Sequence, residues 1–149
     1  MNYSECIEQA RKRIGNYCKA CPECNGKACR NQMPGPGSKG IGDTAIRNYD
    51  KWKEIRLQMD TIAENKPVDT SLELFDKTFQ YPFFAGPVGA VQLHYGDCQT
   101  DVTYNDILVS ACAEYGIAAF TGDGIDSNVM VAATKAIQKT DGIGIPTVK

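Results

Sequence analysis

Histidine is almost missing from this 149-residue chain, which has one, His94. No convincing His-centred dyad with Ser or Cys can be assembled around it, so His-activated nucleophilic catalysis has little to stand on. Long apolar runs are missing too. Stretches such as Ile117 to Phe120 fall far short of the ~18 residues that a membrane span needs. The opening Met1-Asn2-Tyr3-Ser4-Glu5-Cys6 lacks a basic segment followed by an apolar one, so no secretory leader is expected and a cytoplasmic setting is. Nor does one sign of charge dominate: the net charge is -2. It is uneven, however, at +4 over residues 1–66 and -6 over 67–149. An acidic second half argues against a general nucleic-acid surface there, and the basic first half reads most simply as a solvated helix face. With 42% apolar and 23% charged residues, disordered and collagen-like classes are excluded. The length suits one domain.

Cysteine is abundant, at seven. Four form the run Cys18-x2-Cys21-x2-Cys24-x4-Cys29. In a reducing compartment such a cluster points to metal ligands more than to disulfides. Thiols at intervals of three let one short loop wrap an iron–sulfur cluster, and bacterial ferredoxins use a related run. Here the last interval is longer and Arg30, not Pro, follows Cys29. Zinc is the other candidate, although a four-Cys zinc site usually joins two separated knuckles. A Cys-rich turn without metal also stays open. Lys19, Lys27 and Arg30 would offset thiolate charge in each case. Cys112 reads as a small apolar residue on a buried helix face.

Along the chain, Ile7, Ala10 and Ile14 predict a first helix over 3–14, stopped at Gly15-Asn16. Residues 33–42 hold four Gly and two Pro, which predicts a linker between a Cys-rich appendage (1–42) and the main fold (43–149). Asp43 or Thr44 can cap a long helix whose stripe runs Ile46, Tyr49, Trp52, Ile55, Met59 and Ile62, with Pro67 closing it. Ser71 to Phe75 and Thr78 to Tyr81 predict two short strands around Asp76-Lys77. Then apolar strands and helices alternate: a strand at 82–85, a helix near 103–115 with Thr103 as a possible cap, Tyr104, Ile107, Leu108, Ala111, Cys112 and Tyr115 inward and Gly116 ending it, and a strand at 117–121. Asp123 and Asp126 could be paired acids, but helix capping explains them more simply. A helix near 126–139 carrying Val129, Ala133, Ala136 and Ile137 follows, and Asp141-Gly142 turns the chain into a strand at 143–148. This order predicts a parallel α/β arrangement. In such folds sites lie where strands end. The ends here are Gly86-Pro87-Val88-Gly89, Thr121-Gly122-Asp123-Gly124 and Thr147-Val148-Lys149. Two are rich in glycine, which either serves turn geometry alone or lets backbone approach a flat ring or a phosphate.

The stretch Phe79-Gln80-Tyr81-Pro82-Phe83-Phe84-Ala85-Gly86-Pro87-Val88-Gly89-Ala90 resembles the first barrel strand of the FMN-dependent α-hydroxy-acid oxidising family, to which glycolate oxidase and lactate oxidase belong. There a strand of the form P-I-x-x-A-P lays backbone against the flavin. The helix Tyr104 to Tyr115, followed by Gly116-Ile117-Ala118-Ala119-Phe120-Thr121, is similar to the family's A-A-x-x-A-G helix and second strand. Gly42-Asp43-Thr44 with Asn48 resembles its G-x-x-x-T-x-x-x-N entry to the barrel. The likeness covers residues 40–149, best over 79–121.

What the resemblance implies is specific. The fold is a (β/α)8 TIM barrel, which takes roughly 250 residues, so the three strands here are its beginning and 143–148 is left with an open edge. The cofactor is FMN, with Pro87, Val88 and Gly89 against the isoalloxazine. Gly122 stands where the family has a flavin-contacting Ser, and Thr147 and Lys149 where it has Gln and Tyr. Lys149 would bring positive charge toward the flavin or an anionic substrate. The family's Lys near flavin N1, its base His and its substrate-binding Arg belong to later strands, so no catalytic residue is assigned. The implied reaction is oxidation of a small 2-hydroxy acid by hydride transfer to flavin, in a homo-oligomer when complete. Type 2 isopentenyl-diphosphate isomerases share barrel and flavin and are one alternative. A non-catalytic Cys-cluster metal-binding module is the other, and the coding sequence beyond codon 149 discriminates it from the enzyme.

Overall fold

Asn2 starts the first helix, α1 (Tyr3–Arg13), with a reciprocal cap: its side chain accepts the Glu5 N–H while the Glu5 carboxylate accepts the Asn2 N–H. Arg11, Lys12 and Arg13 in its last turn complement the helix dipole. The computed structural model describes residues 2–15, 17–29 and 43–148, so the linker expected at 33–42 and Lys149 lie outside the described residues. The chain falls into two units, one of residues 1–65 with 93–98 and the other of 66–92 with 99–149.

The first unit holds α1, the cysteine loop and α2 (Thr44–Trp52). The long helix expected to reach Ile62 stops ten residues earlier, at the Lys53 cap. Beyond it Ile55, Leu57, Met59 and Ile62 are all exposed. An apolar stripe sustains a helix only when it has a face to pack on; past Trp52 this one is exposed, so the helical period in the sequence is not realised there. Gly15 donates its N–H to the Tyr95 carbonyl at 2.7 Å, tying the end of α1 to residues 93–98 of the same unit.

The second unit opens with an antiparallel hairpin of β1 (Leu72–Leu74) and β2 (Lys77–Phe79), with Leu72 opposite Phe79. Its turn is Phe75-Asp76, both at positive φ (55° and 56°), one residue before the expected place. Two left-handed residues match the strands' own twist in a two-residue turn. A short helix not anticipated from the sequence, α3 (Val91–Tyr95), begins in this unit, and its residues from Leu93 on belong to the first.

Three extended segments then align in parallel through the bridges Ala85↔Ala119 and Phe120↔Ile145. Hydrogen bonds carry them: Ala85 N–H to Ala118 O (3.0 Å), Phe120 N–H to Ala85 O (2.9 Å), Thr121 N–H to Ile145 O (2.9 Å) and Ile145 N–H to Ala119 O (2.9 Å). The connections are α4 (Asp101–Glu114) and α5 (Val129–Lys139), which pack on each other. The parallel α/β arrangement read from the sequence is therefore present, as bridges rather than long ladders.

The core is small and close-packed. Val109 and Cys112 of α4, Ala119 of the middle segment and Ala136 of α5 form its centre, with Ala85, Leu108, Ile117 and Ile137 around it. Alanines at the crossing let helix and sheet backbones approach. The inward face of α4 is Asn105, Val109 and Cys112, about one residue off the face expected. Ile107, Ala111 and Tyr115 are exposed. The expected α5 face holds at Val129, Ala133 and Ala136. Gly116, at φ 68°, ends α4 in the left-handed conformation that glycine adopts without penalty. Burial pushes the Cys112 thiol pKa up, in keeping with its reading as an apolar filler. Among the described residues no helix is long and apolar enough to cross a membrane.

Thr100, not Thr103, caps α4. Its hydroxyl accepts the Thr103 N–H (3.2 Å) and the Thr103 hydroxyl accepts the Thr100 N–H (3.0 Å). Thr100→Ala removes half of this cap and should cost about 1 kcal/mol of stability, read as a lower midpoint in urea unfolding.

Candidate functional site

The cap at Thr100 fixes where α4 begins, and so places Asp101 and, one turn later, Asn105 beside the ends of the parallel segments. The Asp101 carboxylate accepts the Val91 N–H at 2.8 Å. Its other oxygen lies against Gly124, where an added Cβ would stand 2.3 Å away. Asn105 is wholly buried. Its Oδ1 accepts the Gly122 N–H at 2.8 Å, and its Nδ2 donates to the Asp101 carbonyl at 2.7 Å and to the Gly122 carbonyl at 3.5 Å. Two carboxyl-terminal loops, 86–91 and 121–124, thus meet the first two turns of one helix.

The loops also press on each other through backbone. A Cβ on Gly122 would stand 1.6 Å from the Val88 carbonyl oxygen, and one on Gly89 would stand 2.3 Å from that of Asp123. Ala90, held at φ 51°, donates its N–H to the same Asp123 oxygen at 3.3 Å. The third strand end joins through Thr121, which is buried and whose hydroxyl accepts the Thr147 N–H at 3.1 Å. Val88, Gly89, Gly122 and Thr147 are therefore brought to one end of the sheet. Pro87 is exposed, Val88, Gly89 and Thr147 are half-buried, and Gly122 is buried beneath Val88. Lys149 lies outside the described residues. At Gly86 an added Cβ would meet nothing within 4 Å. Gly86 and Pro87 thus leave an exposed surface without protruding polar side chains, which suits a flat ring. A 470 Å³ hollow between α4 and α5, lined in part by Val102, Ile107, Val131 and Lys135, shares none of these loop residues.

Asp101 and Asn105 escaped the sequence reading. Their signal was there: an Asn on the same stripe as Val109 and Cys112, at intervals of four and three. A polar residue on a buried face needs backbone partners, and strand-end loops supply them. Asp126, read as a capping residue, accepts the Asn128 N–H at 2.8 Å. His94 is half-buried in the other unit, edge-on to Tyr95 at 5.9 Å.

The cysteine loop is tied on two sides within the first unit. Arg11 Nε donates to the Ala20 carbonyl at 3.2 Å, the Tyr3 hydroxyl to the Pro22 carbonyl, and the Tyr49 hydroxyl to the Glu23 carboxylate. Gly26, at φ 72°, lies against the backbone of Ala45 and Ile46 in α2. The Ala20 N–H points at Cys18 Sγ, 3.5 Å away. Burial, followed by the neighbouring Cys24, Cys18 and Cys21, raises the Cys29 thiol pKa. Even so, the described residues contain no group of three or more His, Cys, Asp or Glu placed to hold a metal ion. The ligand set that the spacing of Cys18, Cys21, Cys24 and Cys29 suggests is not assembled: Cys24 is exposed while the other three are half-buried.

The glycine packing makes a paired test. Gly122→Ser should destabilise the protein by about 1–3 kcal/mol through overpacking against Val88. Gly86→Ala, into open space, should stay within about 0.5 kcal/mol. Urea unfolding of both variants checks the contrast.

Neither curated proteins nor solved structures give a match to this chain. The sequence model of one family, FMN-dependent dehydrogenase, matches residues 36–141, a span that includes α2, the hairpin, α4, α5 and both glycine loops. The chain belongs to the FMN-dependent dehydrogenase family, and with it to oxidoreductases that bind FMN.

Proposed function

We propose that residues 43–149 form the first three strands of an FMN-binding (β/α)8 barrel that oxidises a small 2-hydroxy acid. The observation that carries this reading is the convergence of both glycine loops on the start of α4, with Val88, Gly89 and Gly122 in backbone contact. Neither outer edge of the three-segment sheet is paired among the described residues, as expected of a barrel that closes through further strands. When bound, FMN supplies the two-electron acceptor for hydride from the α-carbon of the substrate. The task of this chain would be to hold the ring: Pro87, Val88 and Gly89 would lie against its face, with Gly122 beneath them and Thr147 at the third strand end, and Lys149, two residues on in sequence, would add positive charge. The backbone supplies the contact, so no side chain has to move aside for a planar group. The groups that take the hydroxyl proton and bind the carboxylate belong to later strands of such barrels.

Residues 1–149 alone should hold FMN weakly and turn over no 2-hydroxy acid, because the phosphate is gripped by late strands. Stoichiometric, active yellow protein from these residues would overturn the three-strand reading. In the completed barrel, anaerobic glycolate or lactate should bleach the flavin absorbance. Isomerisation of isopentenyl diphosphate without such bleaching would overturn the oxidase reading in favour of an isomerase.

The appendage, residues 1–42, supports a second reading: the four clustered thiols capture one metal centre, iron–sulfur or zinc, by closing together from their present arrangement. The favouring observation is that α1 and α2 hold the loop from both sides, so closure has little chain to order. Thiolates are the ligands, so affinity should fall as pH drops. Reconstitution without oxygen should load iron and sulfide or zinc, and Cys21→Ser should largely abolish it. Protein that stays metal-free in both mixtures overturns this reading.

A further inference from the structure

We infer that Asn105, with Asp101 one turn before it, is a positioning pair that sets the spacing of the two flavin-facing loops. The inference rests on the flavin reading of those loops but concerns residues to which that reading gives no role. Each loop has one backbone N–H held by a side chain of α4: Val91 by Asp101 at 2.8 Å and Gly122 by Asn105 at 2.8 Å. The Asn105 side chain is also anchored one turn back on the helix, since its Nδ2 donates to the backbone carbonyl of Asp101 at 2.7 Å. Asn105 has no exposure to solvent, so water cannot replace a bond that it loses.

The chemistry demands an amide. Oδ1 faces a donor, the Gly122 N–H, while Nδ2 faces two carbonyls, those of Asp101 and Gly122. A carboxylate there would set negative charge against two carbonyl oxygens, and an apolar side chain would leave the Gly122 N–H without its partner. Because Gly122 abuts Val88 and Gly89 abuts Asp123, a shift of one loop moves the other. Asn105 therefore acts through Gly122 on the Pro87-Val88-Gly89 backbone and touches no ligand itself.

The test uses the FMN-loaded protein with its barrel complete, and follows amide hydrogen exchange at Val91 and Gly122 beside the visible circular dichroism of the flavin. In the parent protein FMN should slow exchange at both amides. Asn105→Ala should weaken FMN binding roughly tenfold or more, the expected effect of one unsatisfied buried donor. It should also alter the flavin dichroism in the fraction that remains loaded, a readout that a loss of stability alone would not move. Where Asn105→Ala fails to fold, Asn105→Asp carries the same comparison, since it keeps the acceptor toward Gly122 and loses both donations. FMN that binds the parent without slowing either amide overturns the flavin reading of the loops, and this inference with it. Protected amides in the parent, with unchanged affinity and dichroism in the variant, overturn the positioning role alone.

Discussion

Burial of the Asn105 amide is tolerable only because each of its polar atoms meets backbone: Oδ1 the Gly122 N–H, Nδ2 the Asp101 and Gly122 carbonyls. That requirement ties the start of α4 to the end of the middle segment. The same stripe continues through Val109 and Cys112 into the alanine-lined core. One helix face therefore serves two purposes, apolar packing below and loop placement above. Displacing α4 along its axis would break both at once.

Close backbone approach is the second constraint: Gly122 lies under the Val88 carbonyl with no room for a Cβ. The loop after the first segment has taken the space that a side chain would fill. What this end of the sheet presents is main-chain atoms and Pro87, which is exposed.

The cysteine loop obeys different rules. Its ties are hydrogen bonds from Arg11, Tyr3 and Tyr49 and the fit of Gly26 against α2, with little apolar burial behind them. Such a segment is held in place by polar contacts at its margins while its thiols remain free. The four thiols are close in sequence though not gathered in space, and their local spacing means that few residues would need ordering to gather them.

The sequence by itself determined the alternation of apolar segments and helices, the stops at Gly116 and Asp141-Gly142, the inward face of α5 and the family. These are local matters of period and of glycine conformation, which neighbouring residues settle among themselves. Tertiary structure alone decided the rest. The stripe from Ile46 to Ile62 has a helical period, yet the helix ends at Trp52, because periodicity records a capacity to pack and not the presence of a partner. The inward face of α4 shifted by a residue because Asn105 found backbone partners in a loop seventeen residues away. The close fit of Gly122 under the Val88 carbonyl came from the fold, since Val88 lies far off in sequence. The four cysteines are adjacent in sequence but not gathered in space, because the helices beside them set the course of the loop before any ligand does.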